Sequence, residues 1–422
     1  MMTQVDTRLA GPTPQSDGPP SSERIGCPDC GLVQALVAPG RGEIAECPRC
    51  ARVLAGTATG RVGTPLALFL ASLVLLVPAA IAPLLVVYTY GARRAGWLTT
   101  NATALWRDGF ESLGALVALF SIVLPFVFLV LIIWVLASLR WQRAAPVGAA
   151  FRWAQHLRPW VMIEVFLVGG FVAYSRIKVV STVDVGIGGW CLLGAALLVM
   201  LALTQLDERT VWESLRPQET APDGGRTIGC TVCDFIVPAA AAGSKCPRCG
   251  AGVYRRKPES LQRTAALAAT GYLLYIPANT LPVLTTVRFG REETNTILSG
   301  VVELARNDLW PLALIVFTAS IILPLVKLVG LTWMLLATRR GSGRFLVTRT
   351  RLYRGIDSVG RWSNIDIFSV AVLVAILQFG SLTAVHAGDG LVAFGAVVIV
   401  TMFATLMFDP RLMWDAGGSA HG

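Results

Sequence analysis

Long apolar segments separated by short polar ones dominate the chain from Thr64 onward. At about 1.5 Å of rise per helical residue, each is long enough to cross a bilayer. The pattern predicts an all-α polytopic membrane protein with eight spans in two groups of four. The expected spans are 64–88, 112–138, 160–177, 187–206, 262–287, 309–338, 363–382 and 390–408.

Composition agrees with this prediction. Apolar residues make up 54% of the chain and charged residues only 15%, whereas soluble domains usually carry about 25% charged residues. The mean hydropathy is +0.61. The formal net charge of +10 comes from basic residues between the apolar segments, which favours membrane topology over nucleic-acid binding.

The two groups of spans are related in sequence. The segment SIVLPFVFLV beginning at Ser121 matches SIILPLVKLV beginning at Ser320, and PWVMIEVF around Trp160 matches RWSNIDIF around Trp362. An even number of spans in each copy predicts two tandem parallel-repeat modules. The predicted order is a disordered N-terminal tail (1–24), a first cysteine element (25–56), a first four-helix transmembrane module (62–206), a linker (207–226), a second cysteine element (227–256), a second four-helix module (260–408) and a C-terminal tail (409–422).

Eight of the nine cysteines form two sets of paired Cys-x-x-Cys motifs, and each set precedes one module. Four thiolates at this spacing are typical of a closed, structural Zn²⁺ site in a small zinc-ribbon or rubredoxin-like element, so two zinc ions are expected. Iron on the same sulfurs, pairing of cysteines between the two halves, and redox chemistry remain alternatives. The predicted metal ligands are Cys27, Cys30, Cys47, Cys50, Cys230, Cys233, Cys246 and Cys249.

The distribution of arginines predicts the orientation. The segments between spans two and three and between spans six and seven are rich in arginine, whereas loops on the other side mix both signs. The positive-inside rule therefore places both termini and both cysteine elements in the cytoplasm. The arginines concerned are Arg140, Arg143, Arg152, Arg158, Arg339, Arg340, Arg344, Arg349, Arg351, Arg354 and Arg361.

Prolines interrupt several predicted spans, and each removes one helical hydrogen bond. A simple packing kink is one interpretation. The other is a locally unwound helix that exposes backbone carbonyls to a cavity, which Asn279 could line. The helix-breaking residues are Pro78, Pro83, Pro125, Pro277, Pro282 and Pro324.

Ionisable residues inside predicted spans are candidates for function, because a charge in hydrocarbon is costly unless it is paired or hydrated. Lys327 lies in the middle of span six, and Ser320 lies two turns before it on the same face. Asp366 and its counterpart Glu164 lie one turn inside spans seven and three. A Lys327–Asp366 pair is expected, with an interfacial carboxylate held by loop arginines as the alternative for Asp366 and Glu164.

The remaining sequence gives no support for catalysis. It lacks a phosphate-binding loop and a Gly-x-Ser-x-Gly nucleophile motif, and His156, His386 and His421 have no metal-ligand spacing. Arg176 and Lys178 at the outer end of span three are interpreted as interfacial anchors. The chain is therefore predicted not to be an enzyme.

The ordered motifs resemble the paraquat-inducible protein A (PqiA/LetA) family. The similarity covers residues 25–408 and includes two Cys-x-x-Cys elements, a PAN-x-x-P segment at Pro277 and an RW-S-x-I-D-I-F segment at Arg361. The first copy departs from it, with Ala80 where the second has Asn279 and Phe128 where the second has Lys327. These departures direct attention to the second module.

This resemblance implies an inner-membrane subunit of a bacterial envelope lipid-transport system. Such proteins work with a periplasmic MCE-domain partner (LetB/PqiB-like) that forms a tunnel, and membrane lipids such as phospholipid are the expected cargo. The subunit would load or accept lipid, with Lys327, Asp366 and Ser320 coupling protons or gating access. The alternatives are a docking scaffold for the MCE partner and a membrane redox enzyme.

Overall fold

The computed structural model describes residues 23–36, 43–55, 62–89, 91–141, 147–179, 181–215, 227–288, 291–378 and 383–418. The chain is mostly helical. Apart from Glu23 and Arg24, the predicted N-terminal tail lies outside the described residues. The helices, numbered in chain order, are α1 (Gly63–Ile81), α2 (Leu98–Arg107), α3 (Glu111–Arg140), α4 (Val147–Leu157), α5 (Ile163–Lys178), α6 (Ile187–Gln205), α7 (Glu208–Leu215), α8 (Ser260–Thr280), α9 (Ile297–Arg306), α10 (Trp310–Arg339), α11 (Leu346–Val359), α12 (Ile365–Ile376), α13 (Asp389–Met407) and α14 (Arg411–Gly418).

Strands occur in the cysteine elements and also between the long helices, so the all-α prediction is corrected. Two three-stranded antiparallel sheets have the orders β6-β5-β7 and β11-β10-β12, and three two-stranded pairs belong to the cysteine elements. The strands are β1 (Glu23–Gly26), β2 (Val33–Leu36), β3 (Ala45–Glu46), β4 (Val53–Ala55), β5 (Leu85–Thr89), β6 (Ala92–Gly96), β7 (Thr182–Val185), β8 (Thr227–Gly229), β9 (Ile236–Pro238), β10 (Leu284–Arg288), β11 (Arg291–Asn295) and β12 (Thr383–Ala387).

The same order of elements follows each cysteine element. A long helix (α1 or α8) leads into a hairpin, a short helix, a second long helix (α3 or α10), two further helices, a third strand and a last long helix (α6 or α13). The third strand pairs with the first strand of the hairpin in each copy. The sheets therefore lie at the end of the long helices opposite to the cysteine elements, and this end is called the sheet end below.

Prolines explain why the first and fifth spans are shorter than expected. Helices α1 and α8 end at Ile81 and Thr280, before Pro83 and Pro282, and the apolar residues that follow form strands β5 and β10. These prolines end the helices, so the expected unwound segment within a continuing helix is not formed. Pro78 and Pro277 lie inside the last turns of α1 and α8.

The second long helix of each copy contains a π turn. The turns cover Leu119–Val123 in α3 and Thr318–Ile322 in α10, just before Pro125 and Pro324. A π turn changes the hydrogen-bond register, which accommodates the missing proline N–H, and such turns are frequent at functional sites. Ser320 lies within the turn of α10.

Among the described residues, seven helical stretches are long and apolar enough to cross a membrane: 63–81, 111–140, 147–178, 187–205, 310–339, 346–376 and 389–407. Helix α8, the expected fifth span, is 21 residues long but is not among them. Polar residues within it, including Gln262, Arg263 and Asn279, lower its hydropathy.

Short helices occupy segments that were expected to be a linker and a tail. Helix α7 lies within the expected linker 207–226, and α14 lies within the expected tail 409–422. Their buried faces include Trp212 and Trp414, which pack close to the cysteine elements. These segments therefore belong to the folded structure.

The two copies meet where α5 packs against α12. Within each copy the first long helix packs on the last, α1 on α6 and α8 on α13. At the α5–α12 contact a Cβ on Gly169 would lie 2.8 Å from Ile365 O and 2.9 Å from Phe368 Cβ. Small residues allow membrane helices to approach closely, so Gly169 sets the distance between the copies.

Replacing Gly169 with alanine should destabilise the protein by about 1–3 kcal/mol, the usual cost of an overpacked contact. The measurement is the thermal unfolding midpoint of the purified protein in detergent. Gly170→Ala is the matched control, because no heavy atom lies within 4 Å of the Cβ position at Gly170. Equal midpoints for the two variants would contradict this role of Gly169.

Candidate functional site

The first cysteine cluster is formed by the four cysteines of the first set. Cys27 Sγ lies 3.5 Å from Cys50 Sγ, and Cys30 Sγ lies 3.6 Å from Cys47 Sγ. All four sulfurs lie within 4.8 Å of one another and all four residues are buried. The turns are closed by backbone hydrogen bonds such as Gly31 N to Cys27 O, 2.8 Å.

The second cluster has the same construction. Cys230 Sγ lies 3.6 Å from Cys249 Sγ, and Cys233 Sγ lies 3.6 Å from Cys246 Sγ. Its turn is closed by the bond from Gly250 N to Cys246 O, 2.8 Å. Each cluster therefore uses its own set of cysteines, and the alternative of pairing between the two halves is not what the structure shows.

The donor set fits a tetrahedral metal ion. Sulfurs bound at about 2.3 Å to one Zn²⁺ lie about 3.8 Å apart along each tetrahedral edge, close to the observed separations. In each set the arginine of the Cys-Pro-Arg-Cys motif points back to the first pair: Arg49 Nη1 lies 3.5 Å from Cys30 O and Arg248 Nη1 lies 3.4 Å from Cys233 O. Four buried protein ligands make a closed site without a position for substrate.

The two cysteine elements also contact each other, through strands β1, β2, β8 and β9. A Cβ on Gly26 would lie 3.5 Å from Gly229 Cα. Asp234, with φ of 56°, lies at this junction and lines pockets on both sides of it. Burial raises the pKa of the Asp234 carboxyl to about 6, although the nearby Arg52 guanidinium opposes that shift.

Lys327 is buried inside the second copy, with 2% of its surface exposed. Its Nζ donates a 2.6 Å hydrogen bond to Gly360 O. The negative charge of Asp357 attracts this ammonium group. Gly360, Asp357 and Arg361 line a pocket of about 220 Å³. Among the described residues Lys327 forms no ion pair, so the expected Lys327–Asp366 pair is not formed.

Asp366 faces the other copy instead. Its carboxyl is buried beside the Ser320 hydroxyl. The positive charge of Arg176, at the end of α5, attracts this carboxyl. The negative charge of Glu303 in α9 also attracts the Arg176 guanidinium. The interpretation of Arg176 as an interfacial anchor is therefore wrong, since its guanidinium is directed into the interface between the copies.

Several polar atoms near Asp366 have no hydrogen-bond partner among the described residues. They are Arg176 Nε, Ser320 Oγ, Ser363 Oγ, Asn364 Oδ1 and Ser369 Oγ. Arg176, Asp366 and Ser369 line one cavity of about 30 Å³, which is enough to hold at least one water molecule. Buried polar atoms normally find partners, so this region is suited to bind water or a polar ligand. Arg176, Ser320, Ser363, Asn364, Asp366 and Ser369 are called the polar cluster below.

Glu164, the counterpart of Asp366, has a different environment. Its Oε1 accepts a 2.9 Å hydrogen bond from Arg361 Nη1 across the interface between the copies. Both side chains are partly exposed. Glu164 is thus an interfacial carboxylate held by an arginine of the opposite copy.

Asn279 lies near the end of α8, outside the polar cluster as defined here. Its Nδ2 donates a 2.8 Å hydrogen bond to Tyr275 O one turn earlier in the same helix. Tyr275 in turn donates from its hydroxyl to Ile321 O, 3.2 Å away in the π turn of α10. Asn279 therefore supports the contact between α8 and the π turn.

The residues that the sequence reasoning missed are Arg176, Glu303, Asn364 and Ser369. A lone arginine near the end of an apolar segment is usually an anchor, and only the packing of α5 on α12 directs this one inward. The available signal was the density of polar residues in 360–369, because Ser363 and Asn364 lie just before α12 and Asp366 and Ser369 lie in its first two turns.

Comparison with known proteins shows the family. The family model described as paraquat-inducible protein A matches residues 62–216 and again residues 261–417. The chain belongs to this family. Because the model matches twice, the paraquat-inducible protein A unit corresponds to one copy of the element order described above.

Curated relatives of the paraquat-inducible protein A family cover almost the whole chain. "Intermembrane transport protein PqiA" of Escherichia coli K12 is 32% identical over 410 residues, 94% of this chain and 96% of the relative. "Lipophilic envelope-spanning tunnel protein A" of the same strain is 29% identical over 399 residues, 94% and 92% respectively. A "Probable intermembrane transport protein" of Haemophilus influenzae is 25% identical over 379 residues, 88% and 91%. No solved structure matches the chain.

The family and the seven apolar helices together make this a multi-pass inner-membrane protein. Its relatives are named as transport proteins and not as enzymes. Both cysteine clusters precede the matched regions, so the matched unit comprises the helices, the sheets and the polar cluster.

Replacing Cys246 with serine should remove metal from the second cluster only, because three thiolates and a hydroxyl bind Zn²⁺ far more weakly than four thiolates. Elemental analysis of the purified protein should then give one metal equivalent per chain in place of two. Cys191→Ser is the control and should keep two, since Cys191 lies in α6 away from both clusters. Two equivalents in the Cys246 variant would contradict the assigned ligands.

Asp234→Asn should stabilise the protein near neutral pH. The pKa of Asp234 is higher in the folded state than its ordinary value, so the folded state binds this proton more tightly. The resulting stabilisation is present below about pH 4 and is lost as the pH rises through about 6.

At about pH 8 the free energy of unfolding of the asparagine variant should therefore exceed that of the native protein by on the order of 1 kcal/mol. This difference should be smaller at about pH 5. Asparagine also tolerates the positive φ at this position. Thermal unfolding at both pH values is the measurement, with Asp184→Asn, at an exposed position in β7, as control. A pH-independent difference would contradict this effect of burial.

Proposed function

We propose that this protein is the inner-membrane subunit of a bacterial envelope lipid-transport system. It loads lipid into, or accepts lipid from, a periplasmic tunnel built by an MCE-domain partner of the LetB/PqiB kind. The names of its relatives, which refer to intermembrane transport and to a lipophilic envelope-spanning tunnel, support this proposal. The observation that carries it is the polar cluster at the interface between the two copies.

The proposed architecture is two parallel modules of four transmembrane helices each, α1, α3, α5 and α6 in the first and α8, α10, α12 and α13 in the second. Helix α8 takes the position of α1, because it follows its cysteine element and leads into the same hairpin. The many arginines near the cysteine end support a cytoplasmic location for both cysteine elements and both termini. Thiolates in a reducing compartment are suited to structural zinc.

The polar cluster supports a role in moving a polar headgroup or a proton. The Lys327 ammonium group is buried in α10 and the Asp366 carboxyl in α12, and several hydroxyls near Asp366 have no partner among the described residues. Buried ionisable groups in membrane proteins are costly and mark substrate or proton paths. Protonation of Asp366 would change the charge at the interface between the modules, and this would couple proton binding to the arrangement of the modules.

Docking without transport is the second candidate function. The sheet end presents the edge strands β6 and β11, whose residues are mostly exposed and include Arg93, Arg94, Glu292 and Glu293. Such an edge could receive a partner on the periplasmic side. A pure scaffold predicts that changes in the polar cluster are silent and that changes in these strands abolish partner binding.

Replacing Lys327 with alanine should abolish complementation of an envelope defect in cells that lack the native protein, because the buried ammonium group is lost. Protein abundance in the membrane fraction should stay unchanged. Lys178→Ala is the control, since Lys178 is exposed at the end of α5 and should be replaceable. Full complementation by the Lys327 variant would exclude a transport role for this residue and leave the scaffold.

A further inference from the structure

The first cysteine element is fastened to the second half of the chain, through α11 and α14. Arg354 of α11 donates from Nη2 to Cys50 O at 2.6 Å and from Nη1 to Ala51 O at 3.0 Å. Its Nε donates to Asp29 Oδ2 at 2.7 Å. One side chain of the second module thus holds both halves of the first cysteine cluster.

A tryptophan of the second module completes this contact. Trp414 of α14 packs in one cluster with the four cysteines of the first element. The Arg49 guanidinium lies over its ring, 4.7 Å from the centroid, and its Nε1 donates a 3.1 Å hydrogen bond to Thr350 Oγ1 of α11. Helices α11 and α14 and the first cysteine element therefore form one packed unit.

The second cysteine element is fastened to the first module by corresponding residues, and its last residue, Arg256, also pairs with Asp415 of α14. Arg152 of α4 donates from Nη1 to Cys249 O at 2.8 Å. Gly148 of the same helix allows a close approach, because a Cβ there would lie 2.7 Å from Arg248 O. The second cluster shares its core with residues of the first module: Val147, Ala150, Phe151, Ala154, Val211 and Trp212.

The two contacts use corresponding residues. Arg152 and Arg354 each lie eight residues before the matched tryptophans Trp160 and Trp362. Cys50 and Cys249, whose carbonyls accept these bonds, are the last cysteines of their sets. Trp212 and Trp414 likewise follow the matched residues Asp207 and Asp409 by five positions. A crossed contact made twice by equivalent residues is a built feature of the fold.

We propose that each metal-bound cysteine element clamps the module encoded by the other half of the chain. Loss of metal from the first cluster then loosens α11 and α14 of the second module, and loss from the second cluster loosens α4 and α7 of the first. The clamp requires that the clusters bind metal. It does not depend on lipid transport, and its tests measure metal content and local structure only.

The physical basis is that a cysteine element has little else to fold it. The described part of the first element has few buried side chains besides those of its cysteines, Ile25 and Asp29, so metal binding supplies much of its folding free energy. The turn at Cys47–Cys50 presents Cys50 O to Arg354 only while the thiolates are held together. Without this turn, the partly buried Arg354 guanidinium loses its carbonyl acceptors, and an unsatisfied buried donor costs free energy.

The first test measures hydrogen–deuterium exchange on the full-length protein in detergent, by mass spectrometry. The double variant Cys27→Ser/Cys30→Ser should raise exchange in α11 and α14 by about tenfold or more, as expected when a local structural unit opens. Exchange in α4 and α7 should stay unchanged. The variant Cys230→Ser/Cys233→Ser should give the reverse pattern. Each variant is the control for the other.

The second test keeps all eight cysteines and removes only the clamp. Arg354→Ala should speed the release of one metal equivalent to a chromogenic chelator by about tenfold, the effect of one lost charged hydrogen-bonding group. Arg351→Ala is the matched control, because Arg351 is exposed on the same helix. Arg152→Ala should accelerate release of the metal of the second cluster. In the Cys246→Ser background, which lacks that metal, Arg152→Ala should have no effect.

Opposite outcomes overturn the proposal. If loss of the first cluster loosens α4 and α7, each element acts on the module that it precedes. If both cluster variants loosen both modules equally, or neither, the crossed contacts carry no specific coupling. Should the cysteine variants fail to fold, metal release from the two arginine variants decides, since equal rates for Arg354→Ala and Arg351→Ala contradict the clamp.

Discussion

A charged side chain that lies at the depth of the bilayer needs a partner or water, and two carboxylates of this protein find their partner in the opposite module. Glu164 of the first module is held by Arg361 of the second, and Asp366 of the second faces Arg176 of the first. Either module alone would leave these charges without their partners. The close α5–α12 contact at Gly169 brings the charges together, so the polar cluster exists only when both modules are packed.

The cysteine elements fasten the same interface at one end. Arg354 and Arg152 hold the carbonyls of Cys50 and Cys249 across the two halves, while the elements contact each other through their strands. Relative movement of the modules in transport would therefore pivot about the cysteine end and be largest towards the sheets. In this arrangement the metal sites have a mechanical role, although they offer no position for chemistry.

Local patterns in the sequence identify much of this architecture. Cysteine spacing predicts which four cysteines come together in each cluster, and apolar length predicts eight crossing helices, of which seven are found among the described residues. The strands β5 and β10 were missed because apolar residues such as Leu85 and Leu284 continue the preceding helical segment past Pro83 and Pro282. The burial of Lys327 can be predicted from its position in an apolar span. Its partner cannot be predicted, because the sequence does not show which helix faces meet. Arg176 and the crossed clamp depend on contacts between distant halves of the chain.

The central claim is that the polar cluster couples the arrangement of the modules to lipid movement. The most direct test is transfer of a labelled phospholipid from vesicles that contain the protein, with its periplasmic partner, under an imposed pH difference. The account predicts that transfer by the native protein rises with the pH difference and that the Asp366→Asn variant, which cannot ionise, shows no such rise. Equal transfer by both proteins with the same pH dependence would contradict it.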